Sequence, residues 1–533
     1  MVLFVSLVSL VLFDLFWGCM HSMKKISHAL FNRLTLIGLI FILQIAFFLV
    51  EFLKFTKYYV AIGAVCELLS VAVAFVILYK ESSPSIKIAW IIPILLFPLF
   101  GGIMYLFFGH VIIPTKMNQN MKKTEEAVKE AMPDRSDVLS EVAKENPTVG
   151  RQMKYISRYG YGQPWKNVST QYFPIGEEFW QSLMQDLEKA EKYIFMEYFI
   201  LCDGIMWGSI LEILKRKAKE GVEVRVMYDD VGSIMYLPRF YNQTLEKMGI
   251  KCVAFNRLTP VIALILNNRD HRKITVIDGK IAYNGGINLA DEYINKKQVH
   301  GHWKDIGIRM EGPAAWNFTV MFLQLWNSVC FTENSYLQYM GDFATMNQLP
   351  ENGYVMPFGD TPLDKENVGE NVYLNMITSA TKYVYIYTPY LIVDYEMMSA
   401  LCLAAKNGVD VRIVTPGIPD KRTVYYLTQS SYHMLYSAGV KIYQYTPGFL
   451  HGKCVLCDDE YAVVGTINFD YRSLYHHFEC GTYLYRASCL KNIKDDMEQI
   501  FELSEEIDDR FFKEHRFSGS LLGPVLRLFA PLM

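Results

Sequence analysis

Apolar and polar positions divide the 533-residue chain in two: long, almost uninterrupted apolar runs crowd the N-terminal part, and short alternating runs fill the remainder. Three runs, 34–53, 60–79 and 88–108, each hold about 20 residues, which at about 1.5 Å per residue matches a hydrocarbon core of about 30 Å. They predict transmembrane helices. Gln44 in the first run and Glu67 in the second are costly against lipid, so each is expected to face another helix. The third contains Pro93, Pro98 and the pair Gly101 and Gly102, tolerable in a membrane helix packed against neighbours. With the second run it predicts a tight hairpin turning at Glu81–Pro84. An earlier run, 2–20, is interrupted by Asp14 and lacks the basic residues that open a secretory signal peptide. It reads either as a poor fourth span or as a consequence of starting at Met1 rather than Met23. Residues 1–109 are thus assigned to a membrane region, with lysines at both ends of the spans giving no preferred orientation.

From 110 to 164 the chain turns polar and charged, a connector with a helical stretch near Lys122–Lys144. Beyond it the same order of phrases occurs twice. Ala190–Phe199, Gly221–Tyr228 and Met248–Val253 are answered by Ala380–Pro389, Gly408–Val414 and Ala438–Tyr443. In both series short β-branched runs alternate with helical stretches of about 10 to 15 residues, the signature of α/β units. Two homologous halves follow, 165–345 and 346–533, the second ending in an apolar tail from Leu521 that is too short to span and is expected to pack on the domain.

Each half closes on one cluster. His271, Lys273 and Asp278 are followed by Gly285, Gly286 and Asn288; His451, Lys453 and Asp458 are followed by Gly465, Thr466 and Asn468. The pattern His-x-Lys-x4-Asp, with a small pair and an Asn 17 positions after the His, is spaced identically both times. A single His with a Lys two positions on is usually an exposed pair. Repetition at matched spacing removes that reading. The β-formers after each His predict a strand, so His and Lys, two positions apart, project together, and the turn signals Asp278-Gly279 and Asp458-Asp459 end it. Each Asp is too far along an extended chain to touch its own His, and its main role is expected to be structural.

Two imidazoles and two ammonium groups suit a phosphodiester. Lysines stabilise charge on the non-bridging oxygens, one neutral His attacks phosphorus, and a protonated one donates to the leaving alkoxide. With ordinary pKa values near 6.5, the pair is expected to hold one proton between them at neutral pH. Asp305 and Glu479 are available to fix the tautomers. No metal is required; Cys454 and Cys457 suggest zinc, but positions three apart on a strand face opposite sides.

Composition narrows the classes further. The hydrophobic fraction of 51% agrees with a membrane protein, and 52 Lys+Arg against 55 Asp+Glu gives a net charge of -3, without the basic field that nucleic acid would ask for. The ten cysteines show no regular spacing, so a disulfide framework is not expected.

The doubled motif resembles the hallmark of the phospholipase D superfamily, and Ala89–Gly109, Thr388–Tyr390, Gly448–Lys453 and Gly465–Ser473 are similar to phrases of the bacterial cardiolipin synthases. The resemblance implies an α/β fold: N-terminal transmembrane helices, then two pseudo-symmetric phospholipase D-like repeats sharing one active site. It implies a multi-pass protein of the cell membrane whose partners are phosphatidylglycerol and cardiolipin, with no cofactor. A phosphatidyl group would pass from one phosphatidylglycerol to another, releasing glycerol. His271 would be the nucleophile forming a phosphohistidine and His451 the acid, then base. Lys273, Lys453, Asn288 and Asn468 would hold phosphate oxygens, and Asp305 and Glu479 would orient the imidazoles. The alternative is a phospholipase D or a phosphatidyltransferase with another alcohol acceptor. One departure is His477, where some relatives carry Asn.

Overall fold

A computed structural model describes residues 45, 57–81, 83–109, 115–257, 268–330, 332, 335–341, 353–514 and 522–532. The run 2–20 and, apart from Ile45, the predicted span 34–53 lie outside these residues.

The N-terminal module consists of α1 (Lys57–Tyr79), α2 (Pro84–Leu96) and α3 (Pro98–Phe108). The turn falls between Tyr79 and Pro84, but the predicted single span 88–108 is corrected to two short antiparallel helices. Phe97 is non-helical at φ -133° and ψ 74°. Pro98 enforces this, because its ring excludes the helical conformation from the preceding residue. The chain then doubles back, placing the Trp90 and Tyr105 rings 5.4 Å apart. Gly101 permits the close return, since a Cβ there would lie 2.4 Å from the Pro93 carbonyl oxygen. Among the described residues no helix is both long and apolar enough to cross a membrane.

The predicted connector is built into the fold. Helices α4 (Thr115–Ala131), α5 (Ser136–Glu145) and α6 (Pro147–Tyr159) contribute Val128, Val142, Val149, Met153 and Ile156 to the buried cores.

The first lobe carries strands β1 (Ser169–Phe173), β2 (Tyr193–Tyr198), β3 (Glu223–Asp229), β4 (Lys251–Phe255), β5 (Lys273–Ile277) and β6 (Ile281–Gly285), then a short β7 (His302–Lys304) and β8 (Gly307–Glu311). Its seven-stranded sheet has the order β1-β8-β6-β5-β2-β3-β4. The second lobe carries β9 (Tyr354–Asp360), β10 (Tyr383–Tyr387), β11 (Leu391–Ile392), β12 (Asp410–Pro416), β13 (Lys441–Tyr445), β14 (Gly448–Leu450), β15 (Cys454–Cys457), β16 (Tyr461–Gly465), β17 (Phe469–Asp470), β18 (Glu479–Tyr485) and β19 (Ser504–Glu506). Its sheet, β9-β18-β16-β15-β10-β12-β13-β19, repeats the first order with one added edge strand. β2 and β10 are buried along their whole length because both faces of each sheet are covered; β10 reads as a continuous apolar and aromatic run, and β2 does so apart from Glu197. Cys454 and Cys457 on β15 enter different cores, on opposite sides of the sheet. No two of the nine described cysteines are joined by a disulfide. The C-terminal Leu522–Phe529 helix packs on the Arg422–Ser437 helix and on α2, with Leu526 buried beside Leu427 and Tyr471.

Two of the backbone pairings that join the lobes lead directly to the motif histidines. β7 runs parallel to β14, with His302 opposite Gly448, Trp303 opposite Phe449 and Lys304 opposite Leu450. Asp270 bridges Phe478 in the same sense. Each register, extended by one residue, sets a carboxylate from one lobe beside a motif histidine of the other.

Candidate active site

His271 and His451 sit just before β5 and β15, and both are buried. The His271 backbone N–H donates to the Phe478 carbonyl at 2.9 Å, and the His451 N–H to the Lys304 carbonyl at 2.7 Å. These bonds hold Glu479 and Asp305 in place. His271 Nδ1 lies 2.9 and 3.1 Å from the two Glu479 oxygens, and His451 Nδ1 lies 2.6 Å from Asp305 Oδ2. Each imidazole is therefore oriented through Nδ1 from across the lobe boundary, and neither carboxylate engages Nε2. The Glu479 carboxylate also accepts from the Thr466 hydroxyl. Gly286 leaves room for Asp305, whose Oδ1 would be 2.1 Å from a Cβ at that position.

Lys273 Nζ donates to the His271 carbonyl at 2.6 Å, and Lys453 Nζ lies 2.9 Å from each ring nitrogen of His451. Lys453 feels the charges of Asp305, Lys273 and Glu479. Burial pulls Lys273 down to about 8 and Lys453 to about 7. Burial, then the lysine charges, also lower the histidines, His451 to about 4 and His271 well below its ordinary value. The expected single proton shared by the histidines at neutral pH is thereby corrected: without an anionic substrate both imidazoles are neutral. Burial pushes the Asp305 carboxyl up, but His451 and Lys453 outweigh it and hold the group below the usual carboxylate range.

Aromatic rings wall the two histidines. Phe199 stands 5.0 Å from His271 between centroids, and Tyr293, Trp303 and Phe449 stand 5.4, 5.5 and 5.8 Å from His451.

Comparisons with known proteins agree with this architecture. A family described as "Cardiolipin synthase, PLD-like domain" matches residues 183–305 and 373–502, and one described as "Phospholipase_D-nuclease N-terminal" matches 68–110. A cardiolipin synthase of Halalkalibacterium halodurans is 32% identical, with 94% of this chain and 100% of that protein covered. One of Geobacillus is 34% identical at the same coverage. The chain belongs to the cardiolipin synthase family. It is accordingly an enzyme of the phosphatidyltransferase kind. An uncharacterized protein of Streptococcus mutans is 44% identical over 84% of this chain and 96% of its own length. Among solved structures, a phosphatidylserine synthase of Haemophilus influenzae shares the fold, with a TM-score of 0.53 at 15% identity, covering 72% of this chain and 98% of that one.

Against the residues that resemblance to this family implies, the geometry adds distinctions. Asp278 touches neither histidine; its carboxylate accepts the N–H groups of Glu191, Lys192 and Tyr193 at 2.7–2.8 Å. Asp458 does the same for Thr381, Lys382 and Tyr383 at 2.7–2.9 Å. Both sit in the left-handed region, at φ 52° and 56°, where they end their strands. Asn288 is tied at both ends, accepting from the Ile200 N–H at 3.0 Å and donating to the Tyr293 hydroxyl at 2.7 Å, which leaves one amide hydrogen. Asn468 Oδ1 is buried without a hydrogen-bond partner among the described residues. Sequence reasoning missed Thr466 as a donor to Glu479, although its place in the small pair, opposite Gly286, was visible. It also missed the aromatic wall, which no spacing announces. His477, the departure from some relatives, is 9% exposed and stands with its ring 5.6 Å from that of His271.

Proposed function

We propose that this enzyme makes cardiolipin at the membrane by transferring a phosphatidyl group between two phosphatidylglycerol molecules through a phosphohistidine. The observation that carries the reading is the crossed pairing, in which each motif histidine is held by a carboxylate of the opposite lobe. His271, its Nδ1 held by Glu479 and its ring kept neutral by burial, is the nucleophile. Its Nε2 attacks phosphorus, and the bond to the glycerol oxygen breaks. His451, held beside the charged Asp305, gives its proton to the departing oxygen. The anionic phosphodiester offsets the lysine charges and lets His451 take up that proton. A hydroxyl of the second phosphatidylglycerol then loses its proton to His451, attacks phosphorus and releases His271. Lys273, Lys453 and amide N–H groups of Asn288 and Asn468 donate to the phosphate oxygens. Asp278 and Asp458 act on strand geometry alone.

The aromatic wall favours lipid alcohol over water as acceptor, because transfer depends on keeping water from the phosphohistidine. Exposed Val65, Leu68, Leu69, Phe75, Val76, Leu95 and Leu96 on α1 and α2 supply a surface that suits acyl chains. The test is reconstitution of the purified protein with phosphatidylglycerol. Cardiolipin and glycerol in equal amounts are expected, and phosphatidic acid without cardiolipin overturns the proposal. His271→Ala and His451→Ala should each abolish turnover while leaving the fold intact.

A further inference from the structure

His477 has no part in the chemistry above, yet it is placed where a ligand is easily imagined. It is buried, and neither ring nitrogen has a hydrogen-bond partner among the described residues. Its Nδ1 stands 3.8 Å from Glu479 Oε1, too far for a hydrogen bond. His477 lies two positions before Glu479 as the chain enters β18, and the bridge between Asp270 and Phe478 brings His271 to the same point. One ligand atom from each of His271, His477 and Glu479 lies within 4.8 Å of the others.

We propose that these three residues form an inhibitory site for a transition-metal ion of the zinc type. Tetrahedral Zn2+ takes nitrogen and oxygen at about 2.0–2.2 Å, which sets ligand atoms roughly 3.4 Å apart. The 2.9 Å contact of His271 with Glu479 has to widen by a few tenths of an ångström, and the 3.8 Å gap to His477 has to close by as much. Thr466 steadies the carboxylate. Two imidazoles and one carboxylate leave a fourth position, as zinc sites that bind an exchangeable group do. On binding, the metal takes Nδ1 of the neutral His271 imidazole, the ring proton shifts to Nε2 and occupies the lone pair that attack needs, and Glu479 ceases to orient that ring. The dication also draws electron density from Nε2. Attack on phosphorus stops, so the inhibition, though not the binding, rests on the proposed function. The donor set and the neighbouring lysines select against Mg2+ and Ca2+, which ask for oxygen ligands, and favour ions late in the divalent series.

The test uses the full chain in phosphatidylglycerol vesicles. Zn2+ should suppress the initial rate at concentrations where Mg2+ leaves it unchanged, with recovery on chelation. His477→Asn should keep the metal-free rate and require at least about tenfold more Zn2+, since loss of a ligand costs no less than loss of an outer-shell partner. His477→Gln serves if the Asn variant does not fold. Binding is read separately by Co2+, whose tetrahedral complex should give intense visible bands that weaken in either variant. Absence of those bands in the wild type, or equal Zn2+ sensitivity of wild type and folded variant, overturns the proposal. Bands without any metal-free cardiolipin synthesis would defeat the functional reading alone.

Discussion

At the scale of single residues, burial decides how the charges behave. Lys453 at about 7 and Lys273 at about 8 begin to lose their protons close to neutrality. In the proposed mechanism the cationic form binds phosphate, so its loss should weaken the free enzyme as pH rises through both values. kcat/KM for phosphatidylglycerol, itself a monoanion throughout, should fall as pH rises from 7 to 8; a profile flat to pH 9 contradicts this assignment. Motif aspartates separate from motif histidines in a second prediction. Asp278→Ala removes an acceptor from three N–H groups, that of Tyr193 buried and the other two partly so, and should cost roughly 3 kcal/mol of stability, read as a lower Tm, while protein that remains folded keeps substantial activity. Loss of activity without loss of stability would give Asp278 a chemical role. The histidines, lysines and turn aspartates were legible in the sequence because they occur twice at equal spacing. Which acid serves which histidine was not: His271 and Glu479 are 208 positions apart, and only the pairing of lobes brings them together.

At the scale of elements, two short contacts do what spacing cannot. β7 with β14 and the Asp270–Phe478 bridge convert two separate α/β units into one site. A Cβ at Gly448 would lie 2.2 Å from the His302 carbonyl oxygen and 2.4 Å from its nitrogen. Gly448→Val should therefore open the β7–β14 pair and move Asp305 from His451, lowering kcat by about 100-fold, as a misplacement near 1 Å does, with the acids and bases all still present. Unchanged kcat would mean that the pair does not position the site. The break between α2 and α3 shows the reverse case. Its signal, Pro98 with Gly101 three positions on, stood in the sequence, but summed apolarity over 88–108 is blind to where a helix must stop. The connector helices were likewise readable from Val138 and Val142, then Val149 and Met153, each pair four apart on one helix face, in a segment dominated by charge.

At the scale of the whole molecule, the repeated strand order and the shared core make the two lobes halves of one catalytic unit. Tyr172 of the first lobe donates to Asp496 of the second at 2.7 Å, and Lys304 reaches the same carboxylate at 2.9 Å, so the site lies over a continuous interior. A fold of two such halves was legible from the repeat. The proposed use of one imidazole to attack and the other to shuttle a proton would depend instead on unequal surroundings that near-identical motifs conceal. Labelled phosphatidylglycerol, rapid quenching in alkali and peptide mapping test this directly by counting phosphoryl groups on histidine. At most one per chain is expected, on His271, and none in His271→Ala; labelling of both His271 and His451 in the same chain would contradict the proposed division of roles.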